Sequence, residues 1–238
     1  MSNNAPDQFG RGPVPGSRGL LPLFPLSTVL VPGLVMPMHI FEPRYRRLVA
    51  DLLEQPEGER RFGVVAIREG IEIGRDGARA LHKVGTTAEV DEIDQLPDGR
   101  YALLVTGGTR FRVDAVDKSA APYLTAQVEY LEELPGPSAT QLVPRVIKQY
   151  RAYREVIAPW TAEESAPTRL TDDPQLLSYL VASTTVLDLS ERQALLEEVT
   201  TTDRLRRALK LLRRETVITD VLQSLPSTDF ARVEINLN

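Results

Sequence analysis

The chain has 238 residues, a formal net charge of −5, 42% hydrophobic and 26% charged positions, and no cysteine. That length fits one large or two small domains with enough apolar residues for real cores, while the lack of cysteine excludes a disulfide framework, an iron–sulfur cluster, a thiolate zinc site and a cysteine nucleophile within these residues. His39 and His82 are the only histidines, which excludes a three-histidine metal site, and the acidic balance disfavours nucleic acid as the main partner because that affinity rests on clustered Lys and Arg.

Residues 1–19 are rich in Asn, Pro, Gly and Arg and carry no apolar stripe, so they read as a disordered amino-terminal tail. Leu20 to Phe41 contains no Asp, Glu, Lys or Arg and has the length of a membrane span or a signal-peptide core. Pro22, Pro25, Pro32 and Pro37 oppose that reading, since each interior proline costs a helix roughly 3 kcal/mol. The stretch is therefore predicted as an irregular, edge-like strand Leu20–Leu26, a turn at Pro32-Gly33 and a strand Leu34–Ile40. Glu42-Pro43 opens a helix of about eleven residues, with Tyr45, Leu48, Val49 and Leu52 at helical spacing. From Arg61 to about Glu133 the period falls towards two. Phe62–Ile67, Ile71 and Ile73, Val84–Ile93, Tyr101–Thr106, Arg110–Val116 and Tyr123–Leu131 alternate with turn signals at Asp98-Gly99, Gly107-Gly108 and Ala121-Pro122. Short strands of this kind predict a compact antiparallel sheet or barrel, with no βαβ alternation.

Leu134-Pro135-Gly136-Pro137 punctuates the chain, dividing a β-rich part (20–134) from a helical part (135–225) that leads to a carboxy-terminal tail (226–238). Val143, Val146, Ile147, Tyr150, Tyr153 and Ile157 form the stripe of a first helix, with Pro144 expected near its first turn. A second helix starts with Pro174 after Asp173. A third opens on Ser190 with Gln193 three residues later, the spacing of a capping box, and a fourth runs from near Thr202 towards Pro226, roughly 35 Å if unbroken.

The ordered blocks Leu21-Pro22-Leu23-Phe24-Pro25-Leu26, Thr28-Val29-Leu30-Val31-Pro32-Gly33 and His39-Ile40-Phe41-Glu42-Pro43-Arg44-Tyr45-Arg46 resemble the amino-terminal domain family of Lon proteases, the Lon substrate-binding domain. Leu81-His82-Lys83-Val84-Gly85-Thr86, Gly107-Gly108-Thr109-Arg110-Phe111-Arg112-Val113 and Leu189-Ser190-Glu191-Arg192-Gln193 extend the resemblance over about residues 20–225. It implies an α+β fold, a PUA-like antiparallel β pseudo-barrel followed by a helical bundle. Full-length Lon proteases add an ATPase and a Ser/Lys peptidase domain. No G-x-x-x-x-G-K-[ST] loop is present in these residues, so the chain is expected to be a stand-alone recognition module, not an enzyme, and to need no cofactor.

His39 and Glu42 could in principle act as base and partner, yet no nucleophile lies nearby; His39 is expected to fill a strand position and Glu42 to favour the helix amino terminus. His82 beside Lys83 is expected at a strand end. Arg110 and Arg112 are expected on a solvated outer face, with Phe111 in the core. The basic run Arg204, Arg206, Arg207, Lys210, Arg213 and Arg214 is read as a solvated helix face, and Trp160 as an interhelix packing residue.

The functional expectation is capture of unfolded or tagged polypeptides through apolar surface and an unpaired strand edge, in protein quality control, with a protease or chaperone as a further partner. Leu23, Phe24, Met36, Met38, Phe41 and Tyr45 are the candidate contact residues, although core packing is the expected fate of most of them. The alternative is RNA or nucleotide recognition through Lys83, Arg110 and Arg112. No membrane partner is expected, and the absence of an export signal implies a cytoplasmic protein.

Overall fold

The computed structural model describes residues 12–70, 78–160 and 170–222. The expected strand at Ile71 and Ile73, most of the amino-terminal tail and the whole carboxy-terminal tail lie outside these residues. The chain divides into two compact units, Met1–Glu132 and Glu133–Asn238.

The first unit is a seven-stranded sheet closed on itself. Its strands are β1 (Arg18–Leu26), β2 (Val35–Ile40), β3 (Arg61–Gly70), β4 (Ala78–Leu81), β5 (Val84–Gln95), β6 (Tyr101–Asp117) and β7 (Leu124–Tyr130), with helix α1 (Pro43–Leu53) between β2 and β3. Antiparallel pairing runs β1-β7-β6-β5-β3-β4, and a parallel pairing of β1 with β3 closes the ring. This one parallel pairing departs from the otherwise antiparallel sheet that the sequence predicts. Leu23 to Leu26 lie parallel to Gly63 to Ala66, and a parallel neighbour requires a crossover. That crossover contains β2 and α1.

β1 begins at Arg18, two residues earlier than the alternation suggests. Gly107-Gly108 does not turn the chain, because β6 runs straight through it for 17 residues. A Cβ on Gly107 would stand 2.1 Å from the carbonyl oxygen of Val31. The glycine is there to let two backbones touch. Its amide also donates to Leu34 O at 2.9 Å, and its carbonyl accepts from Gly33 N–H at 2.7 Å. The segment between β1 and β2 is thereby stitched to β6, and Val29, Leu30 and Val31 become core residues.

Among the described residues of this unit, apolar side chains gather in two clusters. One contains Phe24, Leu30, Met38, Ile40, Phe62, Val105 and the inward face of α1 (Tyr45, Leu48, Val49, Leu52). The other fills the barrel with Leu21, Leu23, Val65, Phe111, Ala126, Val128 and Tyr130.

The second unit consists of α2 (Ala139–Ile157), α3 (Pro174–Thr184), α4 (Leu189–Glu197) and α5 (Thr201–Leu222), with α5 packed against the other three helices. Pro144 is the sixth residue of α2, beyond the first turn where it was expected. It removes only the bond its own amide would have made to Thr140 O, and the apolar stripe on either side keeps the helix continuous. Asp173 caps α3, accepting from Leu176 N–H at 2.8 Å.

α4 is capped by Asp188 and not by the predicted Ser190–Gln193 box. Asp188 Oδ1 accepts from Glu191 N–H and from the Ser190 hydroxyl, each at 2.7 Å, while Gln193 donates to Glu197 at 2.8 Å. A shorter, charged acceptor two residues upstream wins the amide donors. Burial acts to raise the Asp188 pKa, but the Glu191 amide, the Ser190 hydroxyl and amide and the charge of Arg214 together outweigh it and hold the carboxyl below its usual range. Its contribution is therefore present at neutral pH and disappears as pH falls through that lowered value. Asp188→Ala is expected to cost about 1 kcal/mol in urea unfolding at neutral pH, followed by Trp160 fluorescence. The gap between variant and parent should shrink in strong acid.

Candidate functional site

β2 pairs with β6 along one edge; among the described residues no strand covers its other edge. The bond from Gly107 N–H to Leu34 O sets the phase of the ladder. It turns the backbone groups of Met36, Met38 and Ile40 towards β6, and those of Val35, Pro37 and His39 towards the open edge. Pro37 thus sits where its missing N–H costs no ladder bond. Side chains alternate with the same period. Met38 and Ile40 enter the core, Met36 packs half-buried on it, and Val35, Pro37 and His39 face outwards. Val35 and, just after the strand, Phe41 each leave 53% of their surface exposed.

Register extends this outward face across β6 to β5. Val35 lies opposite Thr106 and then Glu89; Pro37 opposite Leu104 and then Glu92; His39 opposite Ala102 and then Asp94. A register shift between Val90 and Glu92 leaves Asp91 as an extra residue, and its carboxylate accepts from the Thr106 hydroxyl at 2.6 Å. The face is apolar along β2 at Val35 and Pro37, with His39 at its end, and acidic along β5.

Beneath it, the Phe24 and Tyr45 rings stack at 3.8 Å and 19°, with Phe62 at 5.9 Å from Phe24 and the Arg44 guanidinium 4.3 Å above Tyr45. Glu42 precedes α1 without capping it through its side chain and pairs with Arg44 at 3.1 Å. The far side of α1 is tied down by Asp51, which accepts from Tyr123 Oη at 2.7 Å and pairs with Arg47 at 2.8 Å. Burial, reinforced by that carboxylate, pushes the Tyr123 phenol up to about 12, so it remains a donor at neutral pH.

Of the sequence-predicted contact residues, Leu23, Phe24, Met38 and Tyr45 are buried; Phe41 is exposed and Met36 half-buried. Sequence reasoning missed Val35, Leu104 and the acids of β5. The signal was the two-residue alternation in Val35–Ile40, which marks the odd-numbered positions as one face.

The alternative basic face does not assemble. Lys83 is exposed, but Arg110 keeps only 2% of its surface and donates to Glu132 O at 3.4 Å, correcting its expected solvated position. Strand alternation is locally broken by the register shift between Thr86 and Ala88 opposite it. Arg112 stays exposed and pairs with Glu129. In the second unit Arg204 is likewise buried where a solvated face was expected, whereas Arg206, Arg207 and Arg214 pair with Asp203, Glu198 and Glu191. Trp160 ends a short 3-10 turn and is 41% exposed. A shallow groove of about 570 Å³ along α2, lined by Val143, Ile147, Lys148, Arg151 and Glu155 among others, brings together no nucleophile and base. Among the described residues no cluster of His, Asp and Glu is arranged to hold a metal, and no helix is long and apolar enough to cross a membrane.

Comparison with known proteins decides the family. The ATP-dependent protease La (LON) substrate-binding domain matches residues 20–214. The chain belongs to the Lon substrate-binding domain family. It is 30% identical to Lon protease 2 of Myxococcus xanthus over 200 residues, covering 82% of this chain and 24% of that protein. The Lon protease of Anaeromyxobacter dehalogenans is 31% identical over 201 residues, again with 82% of this chain and 23% of the relative. The chain thus spans about a quarter of the length of these curated relatives, and the domain that matches is the substrate-binding one. The fold agrees with that of solved structures. A Lon N-terminal domain protein from Xanthomonas campestris superposes with a TM-score of 0.58 at 23% identity, covering 87% of this chain and 99% of that one. The N-terminal domain of Mycobacterium avium complex Lon protease gives a TM-score of 0.60 at 18% identity, covering 82% and 98%. The α+β reading, a barrel followed by a helical bundle, matches these neighbours.

Proposed function

We propose that this Lon substrate-binding domain captures extended segments of other polypeptides along β2 and does no chemistry on them. The observation that carries the reading is the open edge of β2, with outward backbone groups at Val35 and His39 and apolar side chains at Val35, Met36 and Phe41 within reach. An extended segment can bond to the free edge and rest its side chains on these residues, which is how strand addition divides affinity from specificity. Phe24, Met38 and Tyr45 hold this surface from below, and Leu23 belongs to the barrel filling. Met36 can adapt to varied side chains. The captured segment is held for a separate protease or chaperone in protein quality control.

The test is a fluorescence anisotropy titration with a labelled, permanently unfolded polypeptide that is not acidic, such as reduced, carboxamidomethylated ribonuclease A. Phe41→Asp is expected to weaken binding roughly tenfold, the scale of one exposed aromatic anchor. Val217→Asp, on an exposed position of α5, should leave it unchanged. No binding by the parent chain at high micromolar concentration overturns the proposal.

A further inference from the structure

We infer that the face beside β2 selects polypeptide segments in which Lys or Arg is interspersed with apolar residues. This selectivity rests on β2 being a polypeptide-binding strand and adds the charge class of what it binds. The face is two-toned by register. Val35, Pro37, Leu104 and Ala102 offer apolar contact, and Glu92 and Asp94 lie in the same rows one strand beyond Leu104 and Ala102.

The acids differ in what balances them. Glu89 is paired with Arg61 at 3.1 Å, whereas Asp91, Glu92 and Asp94 have no ion pair among the described residues. All three are exposed, so the negative charge concentrates beside the Pro37 and His39 rows. Neighbouring strands stand about 4.8 Å apart, placing β5 about 10 Å from β2. A strand bonded to the open edge of β2 lies on the side away from β5, so it is where the same polypeptide crosses the outward face, over Pro37 and Leu104, that it reaches the acids with the flexible stem of a lysine or the fork of an arginine while its apolar side chains stay on β2 and β6. A segment carrying Glu or Asp in the same place meets like charges without a counter-ion. Charge complementarity therefore picks the occupant: a cationic, apolar stretch and not an acidic one.

The experiment uses the full chain and fluorescein-labelled peptides of fifteen residues. They share one set of Leu, Phe and Val positions and differ only in having Lys, Ser or Glu between them. At 50 mM salt the lysine peptide should bind about tenfold tighter than the glutamate peptide, with the serine peptide between. At 1 M salt, where the Debye length shrinks to about 3 Å, the ratio should fall below twofold. In the double variant Glu92→Gln, Asp94→Asn the ratio of lysine to glutamate affinity should approach one at low salt. Equal binding of all three peptides at 50 mM salt overturns the charge selection and leaves polypeptide capture standing. A lysine preference that persists undiminished in the double variant places the cation contacts elsewhere and overturns the assignment to this face. Absence of binding by every peptide removes capture itself, and the selection with it.

Discussion

Replacing Arg204 by methionine is expected to destabilise the helical unit by roughly 3–5 kcal/mol, one of the largest single-residue effects in the chain. The guanidinium has 0% exposed side-chain surface and acts as a hub. It donates to Leu195 O at 3.1 Å, to Glu198 O at 3.2 Å and to Ser178 Oγ at 3.2 Å. It also lies 3.5 Å from the Glu133 carboxylate and 4.1 Å above the Tyr179 ring. Two of these acceptors are carbonyls at the carboxy-terminal end of α4, where the helix leaves its last oxygens without partners. Methionine fills part of the volume and satisfies none of them. Glu133 is 23% exposed and can be rehydrated, so most of the loss comes from the carbonyls and the vacated space over Tyr179. Arg204→Lys keeps the charge but supplies a point donor in place of a planar fork, and should recover less than half of the loss. Trp160, the single tryptophan, lies in this unit and reports its unfolding in urea. A loss below about 1 kcal/mol for the methionine variant would show that the hub contributes little net stability.

Phe111→Ala should cost the barrel about 3–5 kcal/mol, and a pair of glycines makes the cause testable. Phe111 is fully buried, and its ring tip would come within 2.6 Å of a Cβ placed on either Gly63 or Gly85. These two positions leave the space that the ring occupies. Gly63→Ala alone is expected to cost about 1–3 kcal/mol through overpacking. Its other close neighbours are the methyl ends of Leu21 and Leu23, which can yield, so adding Phe111→Leu should return part of that loss. Gly85→Ala should not be rescued in this way. Its added methyl would also lie 2.4 Å from the carbonyl oxygen of Val64, and backbone does not step aside. Far-UV circular dichroism in urea, with amide hydrogen exchange of β3 and β5, distinguishes the two cases. Equal rescue of both glycine variants would mean that the Val64 contact does not matter.

Short-range pattern announced much of this molecule. Tyr45, Leu48, Val49 and Leu52 define α1, Pro174 after Asp173 starts α3, and Asp98-Gly99 turns between β5 and β6 with Gly99 at φ +77°. Each of these depends on residues within one or two turns of one another, and that information is local to the sequence. The blocks that resemble Lon amino-terminal domains named the family because so many unusual residues recur in order.

The misreadings share another cause. Gly107-Gly108 looked like a turn until Val31 came against it from another part of the chain. Arg110 looked solvated until a register shift opposite it altered the alternation and Glu132 O came within reach. Arg204 sat in a run of basic residues that sequence alone spreads over a helix surface, yet Ser178, Tyr179 and the end of α4 close over it. The outer face beside β2 is of the same kind. Its β2 residues Val35 and Pro37 are more than fifty positions from the acids Glu89 and Glu92 of their rows, and only the pairing of β2 with β6 and β6 with β5 sets them together. Sequence by itself determined periodicity, the starts of α1 and α3, and the family, because those follow from neighbours along the chain. Tertiary structure decided which charges are buried and which edge stays open, because burial and pairing depend on what distant segments bring.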